Sequence, residues 1–169
     1  RAALIAAAEH VGPVYLRFGR ANAPIINDNE GYKFELGKGV LLKEGSDATI
    51  VATGLTVSIA LEAAELLEEK GISARVINIH TIKPIDREII AAAASETGAI
   101  VTVEEHSIIG GLGGAVCEVV AEECPVPVIR MGMDDTYGRS ASAAELLKYY
   151  GFTKENIAYK VKEAISKKK

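Results

Sequence analysis

Hydrophobic and polar positions change period several times along this chain, and each change marks an element. The opening stretch, Arg1 to His10, is Ala-rich and favours helix. Gly12-Pro13 stops it, and Val14-Tyr15-Leu16 then reads as a short strand. One helix and one strand cannot enclose a core, so this opening is expected to be the tail of a domain whose body lies outside the sequence. From Ala21 to Gly39 the residues shift to Asn, Asp, Gly and Pro24, the composition of a surface linker. Val40-Leu41-Leu42 and Ala48-Thr49-Ile50-Val51-Ala52 then flank the turn-prone Glu44-Gly45-Ser46-Asp47. Their close spacing predicts a hairpin, and with it an antiparallel strand at the start of the sheet.

Strand and helix alternate from there on. Val57, Ala60, Leu61, Ala64 and Leu67 follow the i, i+3, i+4, i+7 stripe of a helix packed on a sheet, with Glu62, Glu65 and Glu69 opposite and Gly71 ending it. Ala74 to Ile79 reads as a buried strand. Asp86 is a good N-cap, with Ile85 and Ile90 placed as a hydrophobic staple, so Arg87 to Ser95 is predicted helical. Ala99 to Val103 is the next strand. Gly110-Gly111-Leu112-Gly113-Gly114 leads into a helix through Glu122, and Val126 to Met131 is the last strand. Two helices close the chain, Ala141 to Tyr150 and Thr153 to Ser166, with Thr153 capping the second. This alternation predicts right-handed crossovers and a largely parallel sheet covered on both faces: an α/β fold in three layers, α/β/α.

Composition narrows the function classes. The 169 residues are 49% hydrophobic and 25% charged, which fits one globular domain with a short appendage. The formal charge is −4, and Lys167, Lys168 and Lys169 form the one basic cluster, read as a solvated tail. With no broad basic stripe to follow a phosphate backbone, nucleic acid is not an expected partner. Apolar runs break well before the ~20 residues of a bilayer span, and nothing resembles a signal peptide, so no membrane partner is expected. The first residue is not Met, as expected of a fragment or a processed product. Cys117 and Cys124 fall seven apart in one predicted helix, roughly 10 Å, too far for a disulfide. Neither fits a CxxC pair or a zinc spacing, so a reduced, cytoplasmic protein is expected.

Ligands of open α/β sheets prefer the carboxyl ends of the strands. Three predicted ends carry polar residues: Thr53-Gly54, His80-Thr81 and Glu104-Glu105-His106. Adjacent carboxylates beside a histidine suit acid–base chemistry. Equally, Glu104, Glu105 and His106 suit hydrogen bonding to the following loop, or a subunit interface. No second histidine lies at metal-ligand spacing. The glycines at 110 to 114 sit where backbone N–H groups cradle phosphate. However, the dinucleotide pattern fails at Val116 and no P-loop lysine follows, so close helix–sheet packing explains them as well. Arg17 and Arg20, just past the first predicted strand, suit either bidentate phosphate binding or an ion pair. Asp134-Asp135-Thr136-Tyr137-Gly138-Arg139-Ser140 reads as capping and turn chemistry. No G-x-S-x-G elbow or Cys–His pairing supports a nucleophile, so no catalytic residue is assigned.

Several of these segments together resemble one family. Thr102-Val103-Glu104-Glu105-His106-Ser107-Ile108-Ile109-Gly110-Gly111-Leu112-Gly113 resembles the C-terminal-domain segment of transketolases and 1-deoxyxylulose-5-phosphate synthases. His80-Thr81-Ile82-Lys83-Pro84-Ile85-Asp86 looks like the transketolase form of the preceding loop, and Ala143-Ala144-Glu145-Leu146-Leu147 followed by Tyr150-Gly151-Phe152 adds to the likeness. The resemblance implies the C-terminal section of a transketolase, either the C-terminal subunit of a split enzyme or the end of a single chain. It implies a five-stranded, mostly parallel sheet with one antiparallel strand. It divides the chain into the end of a pyrimidine-binding domain (1–20), a linker (21–37) and a transketolase C-terminal domain (38–169).

Phe18-Gly19-Arg20-Ala21-Asn22 is similar to the transketolase segment whose arginine grips the sugar phosphate, which implies that role for Arg20. The intact enzyme is implied to use thiamine diphosphate and Mg2+. This chain has no Gly-Asp-Gly metal segment and lacks the domain that carries the activating glutamate, so neither group is expected on it alone. It is then architectural and dimer-forming, inactive by itself, and needs the remaining cofactor-binding domains or an N-terminal subunit to transfer a two-carbon ketol unit between sugar phosphates. Two rival readings are the end of a 1-deoxyxylulose-5-phosphate synthase and a stand-alone small-ligand-binding or assembly domain built on His80 and Glu104 to His106.

Overall fold

A computed structural model describes residues 1–19, 23–26 and 32–168. The elements in chain order are α1 (Ala2–Glu9), β1 (Val40–Lys43), β2 (Ala48–Ala52), α2 (Thr56–Glu68), β3 (Ala74–Asn78), α3 (Arg87–Thr97), β4 (Ile100–Ser107), α4 (Leu112–Glu123), β5 (Val128–Met133), α5 (Ala143–Tyr149) and α6 (Lys154–Ser166). The five strands form one sheet in the order β1-β3-β2-β4-β5, with β1 alone antiparallel.

Helices α2 and α6 cover one face of the sheet, and α3 and α4 the other. Side chains alternate across the strands as the pleat requires. Ile50, Val76 and Val101 point to the α2/α6 face, whereas Val51, Ile77 and Ile100 point to the α3/α4 face. The result is the expected three-layer α/β/α fold.

The hairpin is a correction. β1 does not pair with β2; it lies on the far side of β3, with Val40 opposite Asn78 and Lys43 opposite Val76. The connection therefore passes over the start of β3 and crosses two strand spacings, roughly 10 Å. There the backbone N–H groups of Ser46 and Asp47 both donate to Ser73 O, at 3.1 and 2.8 Å, and Asp47 Oδ2 accepts from Ser73 N at 2.7 Å. A β-carbon on Gly45 would stand 2.2 Å from Arg75 N and 2.3 Å from Ala74 C, so only glycine lets this chain cross. Burial fits the order: every residue of β2 is buried, which suits an interior strand, whereas β1 keeps Leu41 exposed and suits an edge.

Most other elements lie where the pattern predicts. Asp86 caps α3, accepting from Ile89 N at 3.3 Å, and Thr153 caps α6, accepting from Asn156 N at 3.3 Å. Two differences bear on function. Val14 to Leu16 form no strand, because among the described residues no strand lies beside them to complete a ladder. β4 continues through Ser107, which pairs with Met133, so Glu104, Glu105 and His106 belong to the strand instead of following it. Residues 1–19 contribute no buried side chain to the domain, and Leu4, Val11, Tyr15 and Phe18 are exposed.

Candidate functional site at the carboxyl edge of the sheet

Strands β2, β3, β4 and β5 all run the same way, so their carboxyl ends form one edge. β2 leads into α2 on one face, while its neighbour β4 leads into α4 on the other. Chains that diverge in this way leave a crevice between them, the usual ligand position of an open α/β sheet. Thr53-Gly54 and Glu105-His106 stand at that divergence.

Glu104 is taken up by the fold. It is 1% exposed, and its Oε2 and Oε1 accept from the backbone N–H groups of Leu112 and Gly113, each at 2.8 Å. The carboxylate thus occupies the amino end of α4, satisfying two donors and opposing the helix dipole. A β-carbon on Gly111 would lie 2.0 Å from Glu104 Oε2, and one on Gly113 would lie 2.9 Å from Thr102 Oγ1 and from Arg130. Of the two explanations open for the glycine run, close packing is the one observed, since the position a phosphate would need already holds a carboxylate.

Glu105 turns toward Gly54, and His106 lies beside it. Glu105 Oε1 lies 3.9 Å from His106 Nε2, and Glu105 Oε2 is buried without a hydrogen-bond partner. Gly54, at φ +58°, admits this carboxylate: its β-carbon would meet Oε1 and Oε2 at 3.2 and 3.3 Å. Arg17 reaches the same place, its Nη1 in contact with His106 Nε2. The sequence marks Arg17 as a phosphate binder or an ion-pair partner. Its actual partner, 89 residues on, is beyond any local pattern.

His80 is in a separate setting. Its ring packs on Phe34 with centroids 4.3 Å apart, its Nδ1 bonds Thr81 Oγ1 at 2.9 Å, and its Nε2 is buried without a partner. Burial pushes its pKa below the ordinary 6.5 and favours neutral imidazole. It borders a shallow hollow that includes Tyr32, Lys38 and Leu41. The structure therefore brings Glu105 and His106 together, sets Glu104 beneath them as a cap, and keeps His80 apart. Arg20 lies outside the described residues.

The loop from Asp134 to Ser140 does not cap α5, whose N-cap is Ser142. Its residues Asp134, Thr136, Tyr137 and Arg139 line, with Tyr149 and Tyr150, a hollow of about 650 Å3, where Arg139 sits 4.7 Å from the Tyr149 ring centroid. The donor sets do not fit a metal-bound diphosphate cofactor: among the described residues no three His, Cys, Asp or Glu side chains converge as metal ligands. The α4 amino end, otherwise an anion site, is filled by Glu104.

Comparison with known proteins decides the family. Residues 37–157 match the model of the transketolase C-terminal domain. The chain belongs to this family. A Methanocaldococcus jannaschii protein, provisionally named a transketolase C-terminal section, is 51% identical over 95% of this chain and 50% of its own length. A Clostridium 6-deoxy-6-sulfo-D-fructose transketolase subunit is 45% identical over 99% of this chain and 52% of its own. A solved split-gene transketolase, described as an inactive β4 tetramer, superposes with a TM-score of 0.95 at 48% identity, covering 99% of this chain and 55% of that one. The chain thus spans about half the length of these relatives. Glu105, with its unpartnered Oε2, is among the polar groups at this edge that packing does not consume.

Proposed function

We propose that this chain is the C-terminal part of a thiamine-diphosphate-dependent transketolase that moves a two-carbon ketol unit between sugar phosphates. The observation that carries the reading is the 0.95 superposition on a split-gene transketolase over 99% of the chain. Thiamine diphosphate and Mg2+ are then held by the remaining domains or by an N-terminal subunit, a reading supported by the lack of a converging metal-ligand set among the described residues. The fragment alone is inactive, in keeping with the inactive β4 tetramer to which it is similar. Its own part is architectural and dimer-forming, with Arg20 as the anchor for the substrate phosphate.

Residues 1–20 are the end of the pyrimidine-binding domain, residues 21–37 the linker, and residues 38–169 the C-terminal domain. The exposed Leu4, Val11, Tyr15 and Phe18 support the first boundary, because such apolar side chains need a covering body. Cys117 and Cys124 are unpaired, and sugar-phosphate chemistry suits the cytoplasm. No described helix is long and apolar enough to cross a membrane.

A second reading has its own support: a Heliobacterium modesticaldum 1-deoxy-D-xylulose-5-phosphate synthase is 43% identical over 93% of this chain. Supplying the missing section and comparing two substrate sets separates the two. Ketol transfer to ribose 5-phosphate supports the transketolase, whereas condensation of pyruvate with glyceraldehyde 3-phosphate supports the synthase.

A further inference from the structure

The chain approaches β1 along the connection between β3 and α3, and it is seated there. Tyr32, Phe34 and Leu36 are half-buried, while Lys33 and Glu35 between them are exposed, the alternation of an extended chain laid on a surface. A turn follows, closed by Lys38 N donating to Glu35 O at 3.1 Å. Gly37 takes φ +85° in it, the left-handed value that such a turn reserves for glycine. A β-carbon on Gly37 would stand 3.3 Å from Pro84 Cγ. One on Gly39 would stand 2.7 Å from Ile79 Cδ1 and 3.0 Å from Ile89 Cγ2, so the backbone itself lies against its neighbours.

Two contacts fasten this segment. The Phe34 ring packs on the His80 ring, with centroids 4.3 Å apart, and Thr81 Oγ1 holds that imidazole from the other side through Nδ1. Gly39 N donates to Asp86 Oδ2 at 2.9 Å, while Asp86 Oδ1 accepts from Ile89 N at the start of α3. Asp86 is 7% exposed, so one buried carboxylate both holds the segment and caps the helix. Lys38 Nζ also meets Glu88 Oε2 at 2.9 Å, but that pair is exposed and adds little.

We propose that residues 32–39 form a strap clasped to the β3–α3 connection, with Phe34 and Asp86 as its fasteners. As a mechanical unit the sheet domain then begins at Tyr32 instead of residue 38, and it fixes the direction from which it receives the chain. Polar composition hides the strap, because Lys33, Glu35 and Lys38 are its outward side. The strap does not depend on the transketolase reading above.

The experiment uses the whole chain and reads amides that are hydrogen-bonded in the strap. Hydrogen exchange at Lys38 and Gly39 is followed by NMR in the native sequence, Phe34→Ala and Asp86→Asn. Removing the Phe34 ring should speed exchange at both amides about tenfold, with β2 and β4 unchanged. Trypsin cleavage after Lys33, mapped by mass spectrometry, should rise by a similar factor. Unchanged exchange and cleavage in Phe34→Ala overturn the strap. A loss shared equally by β2 and β4 also overturns it, since Phe34 would then support the whole sheet.

Asp86→Asn tests the second fastener. Asparagine caps helices about as well as aspartate, but its one oxygen cannot serve two amides in the places of Oδ1 and Oδ2. Gly39 is therefore expected to exchange about tenfold faster while Ile89 stays protected. Should the oxygen turn to Gly39 instead, Ile89 is the amide that loosens, which equally shows the carboxylate to be shared. Native protection at both amides overturns Asp86 as a fastener.

Discussion

Glu104 shows how one side chain can decide between two readings of the same sequence. As one of three adjacent polar residues it was a candidate for acid–base work; in the fold it is a buried cap on Leu112 and Gly113. Replacing it with Ala leaves two buried N–H groups without an acceptor, and stability measured by urea unfolding should fall by about 3 kcal/mol. The glycines beside it should respond with opposite signs. Gly111→Ala drives a β-carbon into the Glu104 carboxylate and should cost about 2 kcal/mol or more. Gly114→Ala meets nothing within 4 Å inside α4 and should stabilise by about 0.5–1 kcal/mol. Thermal unfolding of the two variants checks this, and equal losses would contradict the packing account. His80 predicts a pH effect. Burial lowers its folded pKa below the unfolded value of 6.5, so the folded form resists the proton that the unfolded form accepts. Stability is complete above about pH 6.5 and declines as pH falls through the lowered folded value. His80→Asn should flatten the decline in urea midpoint that sets in below about pH 6.5; an unchanged slope would assign it to other groups.

Among the elements, the helices and buried strands were legible because their signals are local. The apolar stripe of α2, the Asp86 and Thr153 caps and the run of β2 each fall within a dozen residues. The pairing of β1 was not legible, because two strands four residues apart usually join directly, and nothing nearby announces that β3 enters between them. The clue was Gly45, read as turn chemistry when its real constraint is the backbone of Ala74 and Arg75. The segment from Val14 to Leu16 misled for the converse reason: strand-forming residues make no strand without a partner. The Arg17–His106 contact likewise depends on tertiary distance alone. Gly45→Ala should therefore loosen β1 specifically. Hydrogen exchange should show faster amides over Val40–Lys43 with β2 and β4 protected, and a uniform loss across the sheet would argue against the crossing as the constraint.

At the scale of the whole molecule, the sheet domain is self-sufficient and the opening segment is not. Two apolar layers close over the faces of the sheet, whereas none of residues 1–19 is fully buried. Removing them should change the free energy of unfolding by less than about 1 kcal/mol, as expected of a segment with no fully buried residue. That asymmetry and the half-length match to relatives are what the proposed transketolase reading is built on. The most direct test mixes this chain with the cofactor-binding section and assays two-carbon transfer from a ketose phosphate to ribose 5-phosphate, with thiamine diphosphate and Mg2+ present. The account predicts turnover in the mixture and none from either part alone. Turnover by this chain without a partner, or none in a mixture shown to assemble, would contradict it.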